Sequence, residues 1–500
     1  MLSDYFSKYI LRSINEMINE AHCHGVTNLA ISKQQNEMDT RKQKRKRAEQ
    51  DNSLIKKMKK DVYKIQDCFN ETEYYFENGL RKVYPYHFSY NTYCKGRWLG
   101  QPLLEVMVNE FGAYTRELYE QFVKFGSLTV NQKSVTLDYI LKNNDFISNV
   151  VHRHETPVLA ASLKIIYKSD DLIVVDKPPS IPVHPCGNYR HNSVTFILGK
   201  EHNLQNLHTI HRIDRLTSGL LMFGLNPEIA KKFMNQIKER QVKKEYLCRV
   251  EGNFSDDIVI CKEPIEVLSH KIGICAVDPS GKECTTEFKK LSYNGRSSVV
   301  LCKPLTGRTH QIRVHLQYLG YPIVNDPLYN TELFGPCKGK AGEFGKSKEE
   351  LVKLITEKHT TKKWLLEESD YTSDEINSFN KFGTVKKEVE SNDLVADDDD
   401  VKNELLKADV SISKPLETCP VSSPLLHYIN SEEFLKLAEK YQFDPSKMTK
   451  DSLCVSCKQK YRDPKPHELL IFLHAHRYMG EGWEFQTEIP NWAKEEWTEN

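Results

Sequence analysis

No stretch of the sequence approaches the roughly 20 consecutive apolar residues that a membrane-spanning helix needs; the longest apolar runs are as short as Leu220 to Gly224. A soluble protein with no membrane partner is expected. An excess of charge of either sign is also lacking, since 70 Lys and Arg against 69 Asp and Glu leave a net charge of +1. That balance does not exclude nucleic acid, because phosphate is attracted by local patches and not by the sum over a chain. The 13 cysteines form no short secreted scaffold, and the N-terminus has no apolar signal segment. Reduced thiols in an intracellular protein are the expectation. Aromatic residues, by contrast, are plentiful: 24 Tyr, 21 Phe and 5 Trp in 500 residues can fill sizeable cores, and wholesale disorder is excluded. The length calls for two or three folded units plus tails.

Charge is distributed in blocks. Residues 41 to 60 carry ten Lys or Arg against two acids, which reads as a nuclear address, an RNA-attracting arm or a solvated tail. Met1 to Ile18 has a weakly amphipathic pattern, interrupted by Asp4 and Glu16. Aromatic-rich, ordered texture begins at Tyr74. Leu103, Leu104, Val106, Met107 and Phe111 fit one helical face, and Tyr119, Phe122 and Val123 fit a second. A hairpin after Gly126 would close a small module over about 95 to 155. Leu163–Tyr167 and Leu172–Asp176 flank a Ser-Asp-Asp turn as a second hairpin. Asn226-Pro227 starts a helix whose Ile229, Phe233 and Ile237 form a buried stripe. Strands are expected at Glu245–Val250, Glu283–Leu291, Ser297–Cys302 and around Gly480 and Gly482. Between about 335 and 450 the sequence is charged and low in periodic apolar residues, so a mostly disordered insertion is expected there. Runs of strands with few helices indicate an α+β fold with a mixed or antiparallel sheet.

The most specific segment is H-R-I-D-R-L-T-S-G-L, His211 to Leu220. Alone, an Asp before a Thr-Ser-Gly turn is ordinarily a capping carboxylate. Its company changes that reading: V-V-D-K-P-P-S-I-P-V-H-P (Val174–Pro185), K-K-E-Y-L-C-R-V-E-G (Lys243–Gly252), G-R-T-H-Q-I-R-V-H-L (Gly307–Leu316) and L-H-A (Leu473–Ala475) follow in order. Together these resemble the RluA family of RNA pseudouridine synthases, whose signature H-R-L-D-x-x-T-S-G is met here with Ile213 in place of Leu.

The resemblance implies an isomerase with Asp214 as covalent nucleophile, attacking either the anomeric carbon of the ribose or the uracil ring. A carboxylate is anionic at neutral pH and can form and release such an adduct without metal or redox help, so no cofactor is expected. By the same resemblance Tyr246 would stack on the base and serve the final proton step, and Arg313 would keep Asp214 ionised and oriented. Arg212 would take the place of a flipped nucleotide, with His211, Arg308 and His310 as further substrate contacts. His211, His310 and His315 have no zinc-like spacing with cysteines and read as packing or RNA-contacting residues. Cys454-Val-Ser-Cys457 lacks a second C-x-x-C and reads as a pair of reduced thiols, with a structural zinc site as the alternative and no metal among the expected site groups.

Tyr74 to Arg97 and Asp463 to Tyr478 resemble the eukaryotic branch of the family, which modifies position 32 in the anticodon stem-loop of transfer RNA. Ribosomal or messenger RNA is the alternative substrate, and a non-catalytic RNA-binding protein the alternative class; the latter would have lost the Asp, Tyr or Arg, and all three are present. Some fungal relatives carry a fused zinc deaminase, but no His here is followed two residues later by Glu. The expected organisation is a basic tail (1–73), an N-terminal extension with a small α+β RNA-binding-like module (74–160), the catalytic domain (161–334), the insertion (335–450) and returning strands (451–495). A monomer in nucleus or cytoplasm is expected, with the mitochondrion as the alternative.

Overall fold

The computed structural model describes residues 68–270, 272–359, 432–459 and 461–498. The basic block at 41–60 and the segment Met1–Ile18 lie outside the described residues.

Three short strands open the ordered chain. β1 (Tyr74–Glu77) and β2 (Leu80–Val83) turn on Asn78-Gly79, both in positive φ, and β2 pairs onward with β6 (Val158–Leu159). The expected small module is built from β3 (Tyr86–Tyr93), β4 (Leu128–Val130) and β5 (Phe146–Arg153), with β5 central. Two helices cover the sheet: α1 (Leu103–Val106), prolonged by a π turn over Met107–Phe111, and α2 (Arg116–Lys124). The two apolar faces anticipated from spacing meet here, Leu103, Leu104, Val106 and Met107 packing with Tyr119, Phe122 and Val123 over Ile147 and Val151.

The large sheet has ten strands among the described residues. It uses β7 (Lys164–Lys168), β8 (Leu172–Lys177), β9 (His208–Thr209), β10 (Ser218–Gly224), β11 (Lys243–Glu251), β12 (Val259–Cys261), β15 (Thr286–Tyr293), β16 (Ser297–Pro304), β17 (Leu473–Gly480) and β18 (Trp483–Gln486). The order runs β12-β15-β16-β11-β17-β10-β8-β7, with β18 added to β17 and β9 to β10. All pairings are antiparallel except β10 with β17, so the sheet is mixed and the α+β expectation holds. β17, from the far end of the sequence, lies between β10 and β11 in the middle of the sheet. The central strands are accordingly apolar, and every residue of β10 is buried.

Helix α3 (Val194–Glu201) packs its Val194, Ile197 and Leu198 into the core below β8 and β10. In α4 (Pro227–Lys238), Asn226 caps the first turn by accepting from the Ile229 amide, as its Asn-Pro start implies. The expected stripe is only half-buried: Ala230 is the buried residue, while Ile229, Phe233 and Ile237 lie at intermediate exposure. The helix rides the rim of the core.

Two helices lie inside the stretch 335–450 where a mostly disordered insertion is expected, and residues 360–431 lie outside the described residues. α6 (Lys348–His359) fully buries Leu351 and Ile355 against Phe334, Tyr329 and the hairpin β13 (Ile265–Ser269) and β14 (Ile274–Val277). Helix α7 (Glu432–Lys440) leads into Tyr441 and Phe443, whose rings pack against Tyr74 and Tyr75 of β1 and Tyr84 just after β2. The dense charge of these segments masks a few apolar residues at helical spacing, and a handful of such residues is enough to dock a short helix. Truncating Leu351 to Ala is expected to lower stability by about 2–5 kcal/mol; an unchanged thermal midpoint would show that α6 is not part of the core.

Candidate active site

Asp214 sits on the loop that enters β10. A turn closes just after it, with the Thr217 amide donating to the Asp214 carbonyl at 3.1 Å. Gly219, at φ 107°, follows, and a Cβ there would lie 2.2–2.8 Å from the backbone of Ala475 on β17. The Gly of the Thr-Ser-Gly turn is therefore a requirement of close approach between two parallel strands. Ser218 hydrogen-bonds His474 Nδ1 at 2.8 Å, tying the loop to the same strand. From below, fully buried Lys177 donates to the carbonyls of Pro178, Ile181 and Arg215, at 2.9, 2.9 and 3.1 Å. Three acceptors match the three N–H donors of its protonated form, although burial lowers its pKa to about 7.

Opposite this loop stands α5 (Gln311–Tyr318). Its Arg313 reaches Asp214 Oδ2 through Nη1 at 3.1 Å and holds Asp326 through Nε and Nη2 at 2.7 and 2.8 Å. Asp326 also accepts from the amides of Leu328 and Tyr329, at 2.9 and 3.1 Å. The fork is thus anchored on a carboxylate whose side chain is 0% exposed, while Asp214 keeps 27% exposure and faces outward. Asp326 serves as the anchor, and Asp214 is the carboxylate left accessible.

His310 occupies the left-handed region (φ 56°, ψ 21°) at the start of α5, an uncommon conformation for a residue with a Cβ. Its Nδ1 lies 2.8 Å from the Tyr329 hydroxyl and its Nε2 3.6 Å from Asp214 Oδ2. Burial alone would raise the Asp214 carboxyl. The charges of His310 and Arg313, with the Arg313 hydrogen bond, outweigh it and hold the group below its ordinary value. Burial and Arg313 push His310 itself down to about 4, so at neutral pH the lasting cation is Arg313.

Tyr246 lies beyond a bulge in β11, at the register shift between Glu245 and Tyr246. Its hydroxyl is 2.6 Å from that of Tyr478 on β17, and burial pushes its pKa up to about 12. The Asp214 charge adds to that rise. The His211 ring packs edge-on against Tyr478 at 5.2 Å, and its Nε2 is buried without a hydrogen-bond partner among the described residues. Arg212 is exposed. Arg308 is exposed too, but it donates to the Glu283 carbonyl at 3.2 Å, on the flank of α5. His315 is buried among Thr286, Cys284 and the Glu263 carbonyl, a packing residue.

The structure therefore gathers Asp214, His310 and Arg313, and places Tyr246 and His211 around Tyr478. Sequence reasoning missed Asp326, Lys177, Tyr329 and Tyr478. Lys177 stood inside the quoted V-V-D-K-P-P stretch, and Asp326 is followed by Pro327 just downstream of G-R-T-H-Q-I-R-V-H-L, but a lysine or aspartate beside proline carries no signal of burial.

Comparison with known proteins gives the class. The family model for RNA pseudouridylate synthase matches residues 171–318. Pseudouridylate synthase RPUSD2 of Mus musculus is 45% identical over 470 residues, covering 92% of this chain and 81% of the relative. In Saccharomyces cerevisiae, the mitochondrial tRNA pseudouridine(32) synthase is 42% identical over 279 residues (55% of this chain, 60% of the relative), and the tRNA pseudouridine(31) synthase is 35% identical over 303 residues (52% and 74%). The chain belongs to the RNA pseudouridylate synthase family. It is an isomerase that converts uridine in RNA to pseudouridine. The matched stretch includes Asp214, Tyr246 and Arg313 but ends before Asp326 and β17.

Because Asp214 is held below the ordinary carboxylate value of about 4, the acid limb of kcat/KM is expected below that pH. Arg313→Lys keeps a cation but loses the fork. It should cost about 10²-fold in kcat through misplacement and move the acid limb to higher pH, since burial then acts less opposed. A profile measured in single turnover checks this; an unmoved limb would separate Arg313 from the ionisation of Asp214.

Proposed function

We propose that Asp214 is the nucleophile of the isomerisation and that transfer RNA, at position 32 of the anticodon stem-loop, is the substrate. The observation that carries the first part is the Arg313 fork, which draws one partner, Asp326, fully into the core and leaves the other, Asp214, ionised and accessible. A carboxylate so held can attack a carbon centre of the uridine. The bond from N1 to C1′ breaks, the base turns, and C5 takes its place on C1′. N1 ends with a proton and C5 gives one up, so no atom is gained or lost.

Tyr246 stays a phenol at neutral pH, and its hydrogen bond to Tyr478 gives the hydroxyl a fixed direction. In this reading it packs against the base and relays the C5 proton. Arg212, exposed beside Asp214, enters the stack vacated by the flipped nucleotide, with His211 and His310 lining the approach. Arg308, turned to the Glu283 carbonyl, is placed to meet RNA at the flank of α5.

The transfer RNA reading is supported by the two yeast relatives named for positions 32 and 31, the former at higher identity. The name of the former also supports the mitochondrion, beside nucleus and cytoplasm, as a place of action. The protein is taken to act as a monomer.

The test is to incubate the wild type and Asp214→Asn with unmodified transfer RNA and map pseudouridine base by base. Product at position 32 with wild type alone is expected, while RNA binding is retained in the variant; turnover by Asp214→Asn sinks the nucleophile, and product only elsewhere sinks the substrate. Tyr246→Phe should bind RNA normally and turn over about 10²–10⁴-fold more slowly. A variant within a few-fold of wild type would remove Tyr246 from the proton step.

A further inference from the structure

Away from Asp214, the end of β5 meets the C-x-x-C segment. His152 and the residue just past the strand, His154, are two apart and therefore point to the same side. Cys454 and Cys457 face them across the gap, and the four donor atoms all lie within 4.8 Å of one another. Cys457 Sγ is 3.3 Å from His152 Nδ1 and 3.3 Å from His154 Nε2. Around a tetrahedral zinc ion, with Zn–S of about 2.3 Å and Zn–N of about 2.0–2.1 Å, neighbouring donors lie about 3.3–3.8 Å apart. The cluster is close to that spacing already.

The surroundings favour the metallated form. His152 Nε2 is 2.9 Å from the Thr449 hydroxyl, which donates its own proton to the Pro85 carbonyl at 2.5 Å. The hydroxyl can therefore only accept from His152, placing the ring proton on Nε2 and leaving the Nδ1 lone pair aimed at the cysteines. Fixing a ligand's tautomer through its other nitrogen is a recurrent feature of metal-binding histidines. The cysteines sit on a tight turn, with the Cys454 amide donating to Asp451 and the Lys458 amide to Val455, each at 3.1 Å. Two thiolates and two neutral imidazoles balance a divalent charge, and a soft S₂N₂ set selects zinc over hard, oxygen-seeking cations.

We propose that His152, His154, Cys454 and Cys457 bind one structural zinc ion. No second C-x-x-C exists in the sequence, because the partners are two histidines about 300 positions earlier. The ion joins the small N-terminal module to the segment that follows the insertion, where Leu453 already packs on the module's core. It thereby closes a loop of about 300 residues, the kind of long closure from which a cross-link gains in chain entropy. Both halves of the site lie outside the stretch matched by the family model.

The test uses the full-length protein expressed with added zinc. Elemental analysis should find about one zinc per chain, and none in a His154→Ala/Cys457→Ser double variant. A chelator should lower the thermal midpoint of wild type by several degrees and leave the variant's lower midpoint where it is. Cobalt(II) added to the metal-stripped wild type should give the visible spectrum of a tetrahedral thiolate complex. Wild type with less than about a tenth of an equivalent after zinc reconstitution, at a midpoint indifferent to chelator, overturns the proposal. So does full zinc content in the double variant, which would place the ion elsewhere.

Discussion

Arg313 between two carboxylates is the interaction on which the rest of the site depends. A guanidinium this deeply placed is tolerable only because every strong partner is supplied: Asp326 takes the fork, two backbone amides complete Asp326, and the Tyr329 ring lies 4.9 Å from the guanidinium carbon. Removing one member of such a group leaves an uncompensated buried charge, typically worth about 3–5 kcal/mol. The arrangement therefore acts as a constraint on geometry more than as a source of stability. It fixes where the free edge of the guanidinium points, and so where a negative charge can reside at Asp214.

That charge must also be reachable, and the fold arranges this through chain segments distant in sequence. The Asp214 loop hangs between Lys177, which gathers three carbonyls beneath it, and β17, against which Gly219 fits only because it has no Cβ. Tyr246 comes from the other neighbour of β17, where a bulge re-aims the side chain. One strand thus spaces the Asp214 carboxylate and the Tyr246 phenol from each other, and Tyr478 on that strand directs the phenol. This explains why the segment carrying β17 belongs to the catalytic unit although 168 residues separate it from β16.

Much of this was legible in the sequence, for identifiable reasons. Apolar spacing announced α1, α2 and the hairpin β7–β8, and Asn226-Pro227 announced α4, because caps and periodicity are local. Asp214, Arg313 and Tyr246 were found through ordered motifs and not through any local physical signal. Asp326, Lys177 and Tyr478 were missed, since whether a charge is buried and what satisfies it are decided by segments that meet only in the fold. The same holds for α6 and for His152 and His154: a few apolar residues in a charged stretch, or two histidines at the end of a strand, acquire meaning only from what they pack against.

The left-handed backbone of His310 shows how the two levels meet. A β-carbon at φ 56° is tolerated because the ring is held by Tyr329, whose hydroxyl also accepts from the Cys275 amide. Strain at one residue is thus offset by a hydrogen-bonded chain leading into the core formed with α6. The consequence reaches the site: His310 immediately precedes α5, whose Arg313 faces Asp214. A segment outside the family-matched stretch, α6 with its Leu351 and Ile355, in this way supports the orientation of a side chain inside it.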